Sequence, residues 1–185
     1  SEDNVTFVEM TDGNGVVIVD RCTQGRQIPN KQGVGLARKI GADIACRLIS
    51  CERVASRWIH STDADVGLPE CYFDAAEQFN NCKAHDNGVT RPVGLVYPFT
   101  HTPEAGYELE GKLYDWSLRY YVESLAWAGS EYAYHTIGSL IAVDFEAYAK
   151  VRGFPKRSGG EDFYLLNKLA KVGRIETLET PVIEI

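Results

Sequence analysis

The sequence predicts an α/β layered fold. Short apolar runs of strand length alternate with longer segments of helical periodicity, and no internal repeat or low-complexity tract breaks that alternation. The 185 residues suit a single domain over 1–185 with a sizeable core.

Val16-Val17-Ile18-Val19 closes on Asp20 and reads as a buried strand. Residues 21–32 carry Gly25, Pro29 and Asn30 and read as a loop. Ala37, Ile40, Ile44, Ala45 and Leu48 recur at helical spacing, predicting a helix over about 33–48. A strand follows at Ser56 to Ile59, with Thr62 to Asp65 just beyond it. Pro69 suits the first turn of a helix over about 70–80. Val93 to Tyr97 is the next strand. Leu109, Leu113, Trp116 and Tyr120 mark one face of a long helix over about 105–128, with Trp116, Tyr120 and Tyr121 expected in packed positions. Ser139 to Val143 reads as a small-residue strand and Phe145 opens a short helix that Gly153 ends. Glu161 to Val172 is the last helix, and Arg174 to Ile185 an extended tail.

Composition narrows the function classes. A net charge of −7 argues against a general nucleic-acid binder, which needs Lys and Arg against phosphates. No run of about 18 apolar residues is present to span a bilayer, although peripheral membrane association stays allowed. The acidic start Ser1-Glu2-Asp3-Asn4 is unlike a secretory signal. Cys22, Cys46, Cys51, Cys71 and Cys82 are odd in number and show no CxxC spacing, so free thiols in a reducing, cytoplasmic setting are expected.

Four segments carry chemistry. In Trp58-Ile59-His60-Ser61-Thr62-Asp63-Ala64-Asp65, a strand delivers two carboxylates to its carboxyl end, where open α/β sheets bind ligands. Hard divalent cations take such oxygens together with those of a diphosphate. Alone, an Asp-x-Asp is more often a surface loop. In Lys31 to Gly41, Gly33 and Gly35 open a helix whose N–H groups suit an anion, and Arg38 stands one turn further on. An amphipathic helix with a solvated Arg is the plainer alternative. Gly160-Glu161-Asp162 puts two acids at a helix start, either as dipole partners or as a general base. Gly138-Ser139 before a small-residue strand allows a substrate close to the backbone, or simply tight packing.

In this order, the motifs resemble glycosyltransferase family 2, which has the GT-A fold. Lys31 to Lys39, Asp63 to Pro69, Gly138 to Ala142, Arg152-Gly153-Phe154 and Gly160-Glu161-Asp162 stand where that family has its motifs, over about residues 30–178. The resemblance implies a three-layer α/β/α sandwich with a mostly parallel central sheet. It implies transfer of a sugar from a UDP- or GDP-sugar to an acceptor hydroxyl, with inversion and with Mn²⁺ or Mg²⁺. Asp63 and Asp65 would hold metal and diphosphate, with Asp65 the more direct ligand. Asp162 would be the base, and Glu161 would bind or orient the acceptor. Arg38, Gly33, Asp20, Gly138 and Ser139 would line the nucleotide-sugar site. His101, in a proline-bounded loop, and Gly160 are candidate acceptor contacts.

The chain departs from the family at Lys39, where an Asn is usual, and is short of the family's first strand–helix unit. It also lacks the basic and aromatic motif of processive members. A GT-A domain that binds nucleotide or a protein partner without turnover is therefore the alternative expectation. His60 is expected to be satisfied by backbone rather than to touch a phosphate, and Tyr132 to Tyr134 and Trp127 to be buried or to stack on a sugar.

Overall fold

The computed structural model describes residues 4–11, 13–80 and 91–185. Ser1, Glu2, Asp3 and Cys82 lie outside the described residues. The chain begins with a hairpin, β1 (Val5–Glu9) and β2 (Gly15–Val19). It continues through α1 (Gly33–Ser50), β3 (Trp58–Ser61) and the single turn α2 (Asp74–Glu77). Next come β4 (Gly94–Val96), β5 (Phe99–Thr100) and the long α3 (Glu108–Trp127). A 3-10 turn at Gly138–Leu140 leads into β6 (Ile141–Asp144) and then α4 (Phe145–Lys150). Helix α5 (Glu161–Ala170), β7 (Ile175–Thr177) and β8 (Ile183–Glu184) complete it. The architecture is mixed α/β.

The central sheet has the order β3-β6-β4-β7. β6 pairs antiparallel with both β3 and β4, and only β4 with β7 is parallel. The mostly parallel sheet expected from the motifs is therefore replaced by a small mixed one. β6 enters the sheet at the edge where β3 and β4 leave it, so it runs against both. β1–β2 and β5–β8 form separate two-stranded sheets.

Both faces of the central sheet are covered, as the period-2 alternation of a strand requires. Ile59, Val96, Ile141 and Val143 face a core completed by Ala42 and Ile49 of α1, Ala147 and Tyr148 of α4, and Leu165, Leu166 and Leu169 of α5. Trp58, Leu95, Tyr97, Leu140 and Ala142 face the opposite core, with Tyr72, Ala76 and Ile183. Burying each of these Leu or Ile side chains contributes about 1.5–3 kcal/mol. α4 starts at Asp144, whose carboxylate accepts from the Glu146 and Ala147 N–H groups and pairs with Arg57 at 2.6 Å. That cap fixes the end of β6 and, through it, the register of the sheet's centre.

Two expectations of burial are corrected. Val16 and Ile18 are exposed, because β2 pairs with β1 alone and joins no layered sheet. Trp116 and Tyr120, each 77% exposed, and Tyr121 lie outside the core. α3 turns Gly111, Asp115, Leu118, Val122 and Leu125 toward the body, so the aromatic stripe points away. Helical periodicity located α3 correctly, but α3 carries two apolar stripes and the less apparent one packs. The predicted helix over 70–80 is reduced to α2 within a series of turns.

Candidate functional site

β3 leaves the sheet at the edge where β6 enters, with Ser61 opposite Ile141. Asp63 thereby comes next to the Gly138–Leu140 turn. α1 and α5 pack on the same face of the sheet and bring Arg38 and Glu161 to that edge.

Arg38 joins these pieces. Its Nε donates to Glu161 Oε1 at 3.1 Å, and Nη1 donates to Ser61 Oγ at 2.9 Å and to the Gly138 carbonyl at 3.1 Å. Nη2 donates to Asp63 Oδ1 at 2.6 Å. The Arg38 and Glu161 side chains are only 10% and 6% exposed, whereas Asp63 reaches solvent. The protein's own acceptors thus fill the guanidinium fork, so it does not offer the two-pronged face to a phosphate that sequence position suggested. It ties the Asp-x-Asp segment to the Glu-Asp segment, with Asp63 and Glu161 98 positions apart in the chain.

The glycines serve close approach. The Gly35 N–H donates to the Arg157 carbonyl at 2.9 Å. A Cβ on Gly35 would sit 2.4 Å from the Pro155 carbonyl oxygen, and one on Gly33 would sit 2.8 Å from Ser158 Cα. The start of α1 therefore seats the loop that leads into α5, and the Gly35 N–H is engaged there rather than free for an anion. Gly160 takes a left-handed conformation, φ 69°, as the residue before α5. Gly138 lies against the Arg38 guanidinium, where a Cβ would fall 2.8 Å from Nη2. Ser139 is buried in the turn beside it.

Asp162 follows Glu161 in the first turn of α5, and its carboxylate accepts from the Phe163 N–H. Burial, aided by the neighbouring Glu161, raises its pKa from the ordinary Asp value, and the Phe163 N–H and Arg38 oppose this. A partly buried carboxylate with a raised pKa is chemically able to accept a proton as a general base.

Asp65 is exposed, and among the described residues no hydrogen bond engages its carboxylate. The described residues contain no cluster of three or more His, Cys, Asp or Glu suited to a metal. Asp65 offers one open carboxylate, the donor type that hard divalent cations take, while the Asp63 carboxylate is held by Arg38. They do not make a self-sufficient protein cage. A cleft of about 210 Å³ lies beside them, lined by Arg38, Ser61, Thr62, His60 and Phe154.

Other residues singled out in the sequence lie apart from this cluster. The Asp20 carboxylate accepts from the Cys22 and Thr23 N–H groups at 3.0 Å each and from Arg26, organising its own loop. Those backbone bonds hold its pKa far below the usual range. His101 pairs with Asp115 and packs on Phe99 and Tyr114. Cys22, Cys46, Cys51 and Cys71 are free thiols. His60 is not satisfied by backbone at Nδ1, which is buried without a partner among the described residues. Its ring stands among Tyr72, Phe73 and Tyr97.

Burial lowers the His60 pKa from 6.5 to about 4, so it is neutral at physiological pH. The folded state holds this proton less tightly than the unfolded chain does. The stability linked to His60 is therefore complete above about pH 6.5 and lost as pH falls toward 4. Urea titrations across that window are expected to show this decline, and His60→Phe is expected to flatten it. An unchanged slope in the variant would contradict the assignment.

Ser61 and the Gly138 carbonyl were not singled out in the sequence as Arg38 partners. Only the strand pairing of β3 with β6 reveals them. Comparison with protein-family models, curated proteins and solved structures finds no match to this chain.

Proposed function

We propose that this chain is a glycosyltransferase domain that moves a sugar from a nucleoside-diphosphate sugar to an acceptor hydroxyl, with inversion. The observation that carries the reading is the Arg38 bridge. It holds the Asp-x-Asp segment at the end of β3 and the Glu-Asp segment at the start of α5 on one edge of the sheet. A displacement at an anomeric carbon needs a site for the departing diphosphate and a base for the incoming hydroxyl. The two acidic segments divide those tasks.

Asp65, with Asp63 beside it, would hold Mn²⁺ or Mg²⁺, whose charge offsets that of a leaving diphosphate. Asp63, fixed by Arg38, keeps the β3 end in place. Asp162 accepts the acceptor's hydroxyl proton. Glu161, pinned by Arg38, sets the first turn of α5 and so the direction of Asp162. The GT-A architecture and the family 2 relationship belong to this proposal, and the mixed sheet with ligand groups at strand ends is compatible with them.

A second reading keeps nucleotide or protein binding and drops turnover. The exposed apolar side chains of β1–β2 and α3 favour it, because such surface often marks partner contacts.

Thermal melts with UDP-, GDP- and dTDP-sugars, with and without Mn²⁺, test the donor site. Ligand at 100 times Kd stabilises the folded state by about 2.7 kcal/mol. We expect metal-dependent stabilisation by at least one donor, and its loss in Asp65→Ala. No stabilisation by any nucleotide sugar would sink the reading.

A further inference from the structure

We propose that the outer face of α3 docks α3 of a second copy of this chain, packed antiparallel to give a two-fold dimer. This surface lies apart from the candidate site and does not depend on the glycosyltransferase reading.

Leu109, Leu113, Trp116, Tyr120 and Trp127 are exposed, Trp127 to 92%. With Glu123 they step along α3 by alternating fours and threes, the spacing that keeps one seam of a helix turned toward a partner helix. No residue of α3 is buried, and its inner side meets the body through Leu118, packed against the second core. The outer face cannot roll inward. Asp115 pairs with His101, and Arg119 Nη2 donates to the Phe99 carbonyl at 2.7 Å, which fixes the rotation of α3 about its axis. The seam is therefore presented with little left to order on binding.

Its size suits a protein partner. Three Trp or Tyr rings at about 150–250 Å² each, with two leucines along about 27 Å of helix, approach the ~800 Å² per partner of a standard interface.

Charge selects the partner and its direction. Glu123 occupies one step of the seam, and Lys112 borders the seam near its other end. Both are exposed, and among the described residues neither takes part in a hydrogen bond or an ion pair. In a parallel, in-register pair Glu123 would face its own copy, and like charges repel. In an antiparallel pair centred near Leu118, Leu109 faces Trp127 of the second copy and Trp116 faces Tyr120. Glu123 then faces Leu113 of the second copy, with Lys112 beside it. Two-fold symmetry makes each contact twice. The carboxylate in the seam thereby gains a cation. A lipid surface fits less well, because interfacial helices are rich in Lys and Arg on their polar side. α3 sets Glu108, Glu110, Asp115 and Glu123 against Lys112 and Arg119 alone.

Sedimentation velocity of the full chain, from low micromolar to several hundred micromolar, reads the assembly. Expected is a monomer–dimer equilibrium that stops at the dimer. Trp116→Ala is expected to raise the dimer Kd about thirtyfold or more, as loss of an interface anchor does. Glu123→Lys and Lys112→Glu are each expected to raise it about tenfold, and the two together to restore it, because opposite charges then face each other again. Melts at low micromolar concentration are expected to be unchanged in these variants, since all three positions are exposed. A monomer at every concentration overturns the proposal, and a blue shift of its tryptophan emission on phosphatidylcholine vesicles would give the face to a lipid surface instead. Assembly that grows past the dimer also overturns it, since a head-to-tail contact of α3 with the exposed β1–β2 hairpin of another copy would not close. A dimer indifferent to all three substitutions places the interface elsewhere. A dimer weakened by Trp116→Ala but not rescued by the double swap overturns the antiparallel arrangement.

Discussion

Arg38→Ala is expected to lower the melting temperature by roughly 10 °C, the largest single-residue effect at the candidate site. The substitution strands Glu161, a carboxylate with a 6% exposed side chain, without its partner. Removing one member of a buried ion pair costs about 3–5 kcal/mol. In a chain of this length each kcal/mol shifts the midpoint by about 2–4 °C. Asp63 contributes little to that loss, because its carboxylate is half exposed and such pairs are worth about 0–1 kcal/mol. The double variant Arg38→Ala with Glu161→Gln removes the stranded charge and is expected to regain a large part of the stability. Thermal melts of the three variants check this. A shift below about 2 °C for Arg38→Ala, set against the per-residue costs above, would mean that Glu161 finds water instead.

Asp162→Asn is expected to abolish most turnover while leaving the fold at least as stable. Losing a general base lowers rates by about 10²–10⁴. Asn keeps an acceptor for the Phe163 N–H, so the helix start survives. Because burial raises the Asp162 pKa, the folded state holds its proton more tightly than the unfolded chain. Stability therefore falls as pH rises through the window from the ordinary Asp pKa to the raised one. Above that window the wild type carries a partly buried charge that Asn lacks, and the stability difference vanishes at low pH where Asp162 is neutral. The same shift moves the acid limb of the wild-type rate profile upward from that of an unperturbed Asp. Melts at pH 7 and pH 3, with a pH–rate profile, test both statements. A variant much less stable at pH 7 would make Asp162 a structural residue.

The site was more legible in the sequence than the fold. Asp63, Glu161, Asp162 and Arg38 announced themselves by residue type and order, and the structure gathers them at one edge. What they do to one another was hidden, because Arg38 lies 123 positions from Glu161 and only the packing of α1 against α5 joins them. The sheet's mixed direction was also hidden. β6 is as apolar as a parallel strand, and nothing local states which way it runs. α3 misled for a different reason. Its aromatic stripe obeys helical spacing, but Trp116 and Tyr120 face solvent while Leu118 and Leu125 pack. Tyr134 was seen only as one of several aromatics, and its orphaned hydroxyl is a fact of burial that spacing does not encode.

The central claim is that the two acidic segments joined by Arg38 carry out transfer from a nucleotide sugar. Its most direct test is ³¹P NMR of nucleoside diphosphate released from UDP- and GDP-sugars by the wild type and Asp162→Asn, with Mn²⁺ and a methyl glycoside acceptor. The account predicts metal-dependent release with wild type, a transferred sugar of inverted anomeric configuration, and release at least a hundredfold slower in Asp162→Asn, about the smallest effect of losing a general base. Equal release by both proteins, or none from any donor, would contradict it.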